Sequence, residues 1–268
     1  MELLKKSTVQ GAQTIQRAVR LLKILAAKSD QGIRLMHAAE AMELERPTTH
    51  RLLRALVAEG MAIQGEDTRY RLGPTAFELG LAAAPQFDIS ELCAPVLRRL
   101  AYDTGDTSFL FTVSGLEAVC MARETGSYHI QTPVVSIGNR HPIGVSAGGL
   151  AIFCAFSEKK AAYLLNILEK QLSQWELTHS DMWKHYYQTR ENGIAVIANR
   201  AAPGVKGVGA PILNSSGEPI AAVTIASTIS RMNTTRIKNI TAMLHQAAKE
   251  LTPLLCQIIK PALSESGL

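Results

Sequence analysis

The sequence predicts an α+β fold built as two domains joined by a helix. Up to about residue 73, apolar residues recur with helical spacing and end in a short hairpin pattern. After about residue 105, strand-like runs alternate with turns and further helical stretches. A chain of 268 residues is long enough for two separate cores. We therefore divide it into a flexible tail, a first domain, a linker helix, a second domain and a final tail, at 1–13, 14–73, 74–86, 87–262 and 263–268.

One stretch of the first domain has the order helix, turn, helix, hairpin. Its first helix is predicted from four apolar residues at i, i+3, i+4 and i+7, namely Leu35, Ala38, Ala39 and Met42. The next helix begins at Pro47, a residue tolerated at the first helical position, and runs to Glu59, before the stop at Gly60. Two short strands around a turn at 65–68 complete a hairpin. This order predicts a winged helix-turn-helix.

The second of these helices has two different faces. Projection at roughly 100° per residue places an apolar core face on one side, made of Thr49, Leu52, Leu53, Leu56 and Val57. Arg51 and Arg54 project the opposite way, over the small residues Ala55 and Ala58. A low surface with guanidinium groups suits the major groove, where arginine binds guanine edges or phosphates. A solvated amphipathic helix is the alternative, but the turn, the preceding helix and the basic hairpin favour DNA binding.

Residues on this helix and on the hairpin are therefore predicted to contact DNA. Thr49, on the packed side, is expected to cap the helix or fill the core instead. The predicted contacts are Arg51 and Arg54 to bases or phosphates, Thr48 to a base edge or phosphate, Arg46 and His50 to the backbone, and Arg69 and Arg71 to the backbone or the adjacent minor groove.

The net charge is concentrated in the first domain. The whole chain has a formal net charge of +5, and residues 1–75 hold 12 Lys+Arg against 8 Asp+Glu. This excess accompanies the predicted helix-turn-helix, as expected for a module that binds phosphates. Aromatic residues make up only 5% of the chain and do not alternate with basic ones, which argues against single-strand binding. Double-stranded DNA is the predicted partner.

Other classes of protein find little support. No apolar run is long enough to span a membrane and no secretory signal is recognisable, so we expect a cytoplasmic protein without a membrane partner. The four cysteines form no Cys-x-x-Cys pair, and neither a metal site nor a cofactor is expected. Motifs of serine hydrolases, zinc proteases and P-loop enzymes are missing, so no catalytic residue is assigned. An enzyme, and a redox switch acting through Cys120 or Cys154, are the alternatives.

The helix predicted from Gln13 to about Lys28 has a broader apolar side than a small three-helix domain needs. That side carries Ile15, Ala18, Val19, Leu22, Leu25 and Ala26. We expect part of it to pack against a second subunit, although burial within its own domain is the alternative.

The second domain is predicted as an antiparallel sheet with helices before, between and after its strands. Predicted strands cover 107–113, 118–123, 127–137, 193–199, 204–213 and 219–229, with a turn at 138–142. Predicted helices cover 75–84, 89–103, 145–156, 158–169, 181–192 and 234–259, the first of them forming the linker.

Several stretches together resemble the IclR family of bacterial transcription regulators, over nearly the whole chain. They include Pro47-Thr-Thr-His-Arg-Leu-Leu-Arg-Ala-Leu-Val-Ala-Glu-Gly60, together with residues 15–25, 70–73, 137–143, 209–213 and 219–223. The resemblance implies a winged helix-turn-helix, a linker helix and a GAF-like effector domain that binds a small metabolite. It also implies operator DNA as partner and assembly into dimers, often paired into tetramers.

The resemblance further implies an effector pocket in the second domain. Its residues would be Ile130, Pro133, Ala147, Gly148, Ile197, Val205, Gly207, Thr224 and Ala226. The local pattern agrees in part, because alternation along a strand places Thr224 and Ala226 on one face. Gly204, Gly207 and Gly209 are expected to leave room beside that strand. The alternative is that these small residues simply pack the sheet.

This chain departs from the family pattern in ways that remove polar groups from the pocket. The usual acidic cluster is replaced by Ile197-Ala-Asn-Arg200, and the usual Cys, Ser and Lys are Gly207, Ala226 and Leu150. We therefore expect a larger or more apolar ligand, such as an aromatic acid. Its carboxylate would lie near Arg200 or near exposed backbone amides at 146–149, from Ser146 onward, close to the start of the helix predicted for 145–156. Both a repressor and an activator fit this pattern.

Overall fold

The computed structural model describes residues 12–28, 31–84, 89–131, 135–200 and 202–259, which divide into two units between Asp88 and Ile89. The predicted tails therefore lie outside the described residues, apart from positions 12 and 13. Among the described helices, none combines the length and the apolar character that crossing a bilayer requires.

The first unit begins with three helices, α1 (Gln13–Ala27), α2 (Leu35–Met42) and α3 (Arg46–Ala58). The antiparallel strands β1 (Ala62–Gln64) and β2 (Tyr70–Leu72) follow as a hairpin, and α4 (Pro74–Ala83) comes next. A single antiparallel bridge between Ile33 and Tyr70 joins the segment before α2 to this hairpin. The predicted order of helix, turn, helix and hairpin is confirmed.

The core of the first unit forms where α1, α2, α3 and the hairpin meet. Its buried residues include Leu21, Leu25, Ala38, Met42, Leu53, Leu56, Ala62 and Tyr70. On α1 only part of the predicted apolar side faces this core, because Ile15 is 67% exposed and Val19 is 46% exposed. Among the described residues of the first unit, α1 thus keeps an exposed apolar strip.

The turn between α2 and α3 contains a left-handed residue that is not glycine. Glu43 has φ 55° and ψ 42°, and its N–H donates to the carbonyl of Glu40 at 3.0 Å. The next N–H, from Leu44, donates to the carbonyl of Ala39 at 3.1 Å. A left-handed backbone costs a residue with a Cβ roughly 1–2 kcal/mol, so this turn is locally strained.

The second unit is a six-stranded sheet with helices around it. It begins with α5 (Ile89–Thr104), the hairpin β3 (Thr107–Ser114) and β4 (Glu117–Glu124), and the short β5 (Arg140–Pro142). There follow α6 (Ala147–Ala155), α7 (Glu158–Ser173), α8 (His179–Asn192), β6 (Ala195–Ala198), β7 (Val205–Leu213), β8 (Pro219–Thr228) and α9 (Thr234–Cys256). All neighbouring strands are antiparallel, in the order β5-β4-β3-β8-β7-β6.

Helices cover both faces of this sheet. The core under α6, α7 and α8 includes Ala222 and Ala226 of β8, whereas the core under α5 and α9 includes Val223 and Ile225 of the same strand. This is the alternation expected of a strand between two layers. The prediction that Thr224 and Ala226 share a face is confirmed, because both line one cavity.

The strand predicted at 127–137 is wrong for the described residues of that range. Residues 127–131 and 135–137 form a loop, and positions 132–134 lie outside the described residues. Gln131 explains the loop, because its Nε2 donates to the carbonyl of Gly126 at 3.0 Å and to that of Gly105 at 3.4 Å. These contacts hold the segment next to the end of α5, so it does not pair with a neighbouring strand.

The turn predicted at 138–142 contains a strand. Gly138 does turn, with φ 86°, but Arg140 then pairs with Val119 of β4. The Arg140 Nε donates to Glu117 Oε2 at 2.8 Å and strengthens the pairing. Pro142 is compatible with this strand because β5 lies at the edge of the sheet.

Candidate functional site

The outward face of α3 carries residues predicted to contact DNA. Arg51 and Arg54 are exposed, as are the small side chains of Ala55 and Ala58 beside them. The other predicted contacts on this helix are accessible to different degrees, Arg46 and His50 being exposed and Thr48 half-buried. The result is a low surface with the exposed guanidinium groups of Arg51 and Arg54, the shape that a major groove accepts.

The inward face of α3 is the predicted core face. Leu53 and Leu56 are buried, and Leu52 and Val57 pack partly against the same core. Thr49 is fully buried, and its Oγ1 donates to the carbonyl of Glu45 at 3.3 Å. The prediction that Thr49 fills the core and does not face outward is confirmed.

The two hairpin arginines are held by contacts within the first unit. Arg71 donates hydrogen bonds to both carboxylate oxygens of Asp67, at 3.1 and 2.7 Å, and to the Gln31 carbonyl at 3.3 Å. Arg69 donates to the carbonyls of Gln31 and Gly32, at 3.2 and 3.3 Å. The Arg71 hydrogen bond is the main cause that lowers the pKa of the Asp67 carboxyl to about 2. Both side chains therefore brace the hairpin and remain only partly exposed.

A small cavity lies in the second unit beneath the N-terminus of α6. Its volume is about 30 Å³, room for about two water molecules. Most of its wall consists of eight predicted residues, Ser146, Ala147, Ile197, Arg200, Val205, Gly207, Thr224 and Ala226. Residues from β6, β7, β8 and the start of α6 thus meet as expected.

Two predicted pocket residues do not line this cavity. Ile130 is 51% exposed, because the loop that holds it turns its side chain toward solvent. Gly148 faces β3 instead, where an added Cβ would come within 2.4 Å of the Phe111 ring. A third, Pro133, lies outside the described residues.

Three lining residues are outside the predicted set. Phe109 and Phe111 contribute aromatic surface from β3, and Val135 contributes an apolar edge. The alternation along the predicted strand 107–113 placed both phenylalanines on one face, so that signal was available. Val135 follows a loop without periodicity, and no signal indicated it.

The expectation of exposed amides at the start of α6 is wrong. Ser146 caps this helix, and its Oγ accepts the N–H of Gly149 at 3.1 Å. The whole stretch from Ser146 to Leu150 is buried. A buried N-terminus that is capped by its own serine offers fewer donors to a ligand than an open one.

The glycines of β7 do not leave open room. A Cβ at Gly207 would lie 2.8 Å from the Ala147 Cβ, and one at Gly209 would lie 2.7 Å from the Ala147 carbonyl oxygen. These glycines let α6 approach the sheet closely, so at Gly209 the packing alternative is correct. Gly204 lies in a turn with φ 78°.

Arg200 supplies the charge in the cavity wall. Its guanidinium is half-buried and donates to the Trp175 carbonyl at 3.0 Å, with Glu176 Oε2 at 3.7 Å. Ser146 and Thr224 supply hydroxyl groups, and the rest of the wall is apolar. The cavity thus offers one cation, two hydroxyls and a hydrocarbon lining.

Three of the four cysteines are buried thiols. Burial raises the pKa of Cys93 to about 11 and those of Cys120 and Cys154 to about 12. Such thiols are almost entirely protonated near neutral pH, which argues against a redox switch at Cys120 or Cys154. Within the described ranges, no group of His, Cys, Asp and Glu is arranged to hold a metal ion.

Both units match known protein families. The model of the IclR helix-turn-helix domain matches residues 14–65, and the model of the bacterial transcriptional regulator IclR C-terminal domain matches residues 81–252.

Curated relatives match over most of their length. The chain is 28% identical over 249 residues to the transcriptional repressor IclR of Escherichia coli K12, covering 90% of this chain and 89% of that protein. It is 27% identical over 247 residues to the HTH-type transcriptional regulator BhcR of Paracoccus denitrificans, covering 90% and 87%. A crystal structure of an IclR family transcriptional regulator from Brucella abortus shares the fold, with a TM-score of 0.75 at 17% identity, covering 95% of this chain and 96% of that chain. Both of these curated relatives are transcriptional regulators.

Proposed function

The chain belongs to the IclR family of bacterial transcriptional regulators, and we propose that it couples operator binding in its first domain to an organic acid bound in its second. It is a DNA-binding regulator of the IclR type with a C-terminal ligand-binding domain. In this proposal the DNA-binding domain spans 14–73, the linker helix 74–86 and the effector domain 87–262. A bacterial operator lies in the cytoplasm, where we expect the protein to act.

The proposed DNA contacts rest on one observation, the exposure of Arg51 and Arg54 on a helix whose opposite face is buried. Two such arginines on the outer face of a recognition helix suit base or phosphate contacts in the major groove. Arg69 and Arg71 would contact the DNA backbone while the hydrogen bonds to Gln31 and Asp67 hold their side chains in place. The full set proposed is Arg46, Thr48, His50, Arg51, Arg54, Arg69 and Arg71.

Selection of fragments from the host genome by the full-length protein tests this contact set. We expect the wild type to enrich defined operators, and the double variant Arg51→Ala/Arg54→Ala to enrich none. Arg98→Ala, which changes an exposed arginine of the second unit, is the matched control and keeps the enrichment. Enrichment by the double variant would contradict the proposal.

We also propose that the protein assembles as a dimer, or as a pair of dimers. The apolar residues Phe77, Leu79 and Leu81 of α4 are each more than half exposed, and Ile15 and Val19 of α1 are exposed too. Covering these residues with a second copy would present two recognition helices to two half-sites. Light scattering tests the assembly: a monomer at working concentrations would refute it, and Phe77→Asp should weaken the association.

The ligand that we propose for the cavity is an organic acid. Arg200 would bind its carboxylate, Thr224 would donate or accept a hydrogen bond, and Phe109 and Phe111 would contact its hydrocarbon part. Since the cavity holds about 30 Å³, a compact acid needs less rearrangement than an aromatic acid, for which the lining side chains must move.

Calorimetry with a panel of aliphatic and aromatic acids tests this assignment. We expect Arg200→Met and Thr224→Leu each to weaken binding of the acid that the wild type prefers by tenfold or more. Lys206→Met, which changes a cation of β7 outside the cavity wall, is the control. Unchanged affinity in Thr224→Leu would retire the cavity as the binding site.

A further inference from the structure

A buried carboxylate joins three elements at one end of the sheet. Asp106 stands directly before β3, and its side chain is 1% exposed. It accepts hydrogen bonds from Ser227 Oγ at 2.7 Å, Arg231 Nε at 3.1 Å and Arg236 Nη2 at 2.7 Å. The start of β3 is thereby tied to the end of β8, to the following turn and to the first turns of α9.

The same two arginines bind the end of α5. Both Arg231 and Arg236 donate from Nη2 to the carbonyl of Thr104, at 3.3 and 2.6 Å. Thr104 is the last residue of α5, and its Oγ1 accepts the N–H of Asp106 at 3.2 Å. Cations at a helix C-terminus stabilise it, so this cluster of Thr104, Asp106, Ser227, Arg231 and Arg236 fixes where α5 ends.

The loop that follows β4 also contacts this cluster. The Arg231 guanidinium lies 3.6 Å from the centre of the Tyr128 ring, and the Tyr128 N–H donates to Gly105 at 2.9 Å. Thr107 Oγ1 donates to Gln131 Oε1 at 3.0 Å. Val135, four residues after Gln131 in the sequence, lies in the cavity wall.

The cluster and the cavity are one residue apart on opposite faces of the sheet. Ala226 lines the cavity and pairs with Thr107 of β3 and Gly207 of β7. Its neighbour Ser227 is buried and points to the other face, where it meets Asp106. A shift of β3 or β8 at the cavity wall would therefore displace the hydrogen-bond partners of Asp106.

We propose that Asp106 is a positioning residue that fixes the cavity wall and passes its displacement to α5 and α9. This rests on the proposed function, because it requires that the cavity bind the effector. The hydrogen bonds between one carboxylate and two guanidinium groups are either formed or broken, so the cluster changes between discrete arrangements and does not deform gradually. Among the described residues the buried Arg236 Nε has no hydrogen-bond partner, so the cluster retains a donor for a second arrangement. Through Thr104 the displacement reaches α5, whose first residue, Ile89, follows the linker region in the chain.

The test uses operator DNA as its probe, because coupling between two sites is reciprocal. Operator fragments are those selected by the wild-type protein. Hydrogen exchange of the full-length wild type should change on operator binding at residues 104–108 and 226–236, and Asp106→Asn should abolish that change. Asp106→Asn should also alter operator affinity threefold or more without any added acid.

Lys160→Met is the matched control, because it removes another buried ion pair of the same unit. Lys160 Nζ lies 2.8 Å from Glu218 Oε2, and neither residue lines the cavity. This variant should lower the melting temperature but keep operator affinity within twofold. Equal effects of the two variants would mean that Asp106 is merely structural and would overturn the proposal.

Ser227→Ala keeps the test decisive if Asp106→Asn does not fold. It deletes one hydrogen bond to Asp106 and should shift operator affinity in a measurable way, with a smaller exchange change. If Ser227→Ala has the same operator affinity and the same hydrogen exchange as the wild type, the positioning role is overturned. Failure of the wild type to bind any operator would instead reject the proposed function, so the two failures are distinguishable.

Discussion

Gly207 on β7 lies so close to Ala147 at the start of α6 that a Cβ added at Gly207 would stand 2.8 Å from the Ala147 Cβ. Both residues are buried, and neither backbone can retreat without disturbing the sheet or the helix. We expect Gly207→Ala to lower the free energy of unfolding by about 1–3 kcal/mol, because overpacking strains a dense core. Denaturant titration followed by circular dichroism measures this.

The double variant Gly207→Ala/Ala147→Gly is the control for that contact. It exchanges the positions of a methyl group and a hydrogen, so part of the lost stability should return. A single Gly207→Ala variant as stable as the wild type would show that α6 has room to move away.

Glu43 should be replaceable by glycine with a gain in stability. Its φ of 55° is favourable for glycine and strained for glutamate. Glu43→Gly is expected to raise the free energy of unfolding by about 1 kcal/mol. Glu40→Gly, three residues earlier inside α2, should lower it by about the same amount, because glycine weakens a helix interior. A loss of stability in both variants would contradict the assigned strain.

The ion pair between Asp67 and Arg71 predicts an acid-dependent contribution to stability. The folded-state pKa of Asp67 is lowered from 3.8 to about 2, so its contribution is complete above pH of about 4 and is lost as the pH falls through 2. The stability difference between wild type and Asp67→Asn should therefore shrink between pH 5 and pH 2. Thermal melts across that range measure it, and a difference independent of pH would count against the pair. Salt should weaken it, because both side chains are accessible to solvent.

Arg51→Ala distinguishes base reading from phosphate binding. A bidentate contact to a base predicts a loss of about 1–3 kcal/mol on the operator and little change on random DNA. A phosphate contact predicts equal losses on both and a shallower salt dependence. Fluorescence anisotropy at several salt concentrations separates these outcomes. No loss on either DNA would remove Arg51 from the interface.

Thiol reactivity separates ligand sensing from redox sensing. Cys256 is exposed, whereas Cys93, Cys120 and Cys154 are buried with a raised pKa. A disulfide reagent should therefore modify one thiol per native chain near neutral pH, and Cys256→Ser should abolish the reaction. Rapid modification of Cys154 in the native protein would reopen the redox alternative.

The recognition helix was predictable because local spacing decides which of its faces is buried. Leu53 and Leu56 repeat with the helical period, and Arg51 and Arg54 project from the opposite side of the helix, so the two faces follow from sequence alone. The same holds for β8, where alternation separates Val223 and Ile225 from Ala226.

The errors occurred where distant residues decide the structure. Arg140 is in a strand because β4 offers it a partner, and Ile130 is exposed because Gln131 anchors its loop to Gly126. The closeness of Gly209 to Ala147 is likewise a contact between elements far apart in sequence. Neither periodicity nor propensity contains such information.

The linker helix α4 has ten residues and buries none of them. A peptide helix this short is marginal in water unless something packs against it. In the proposed dimer, the helical content of this segment would consequently rise and fall with the copy number of the protein in the cell. Dilution of the protein would unwind α4, which joins the effector domain to the DNA-binding domain. The concentration of the protein in the cell would then affect operator binding as well as the effector does.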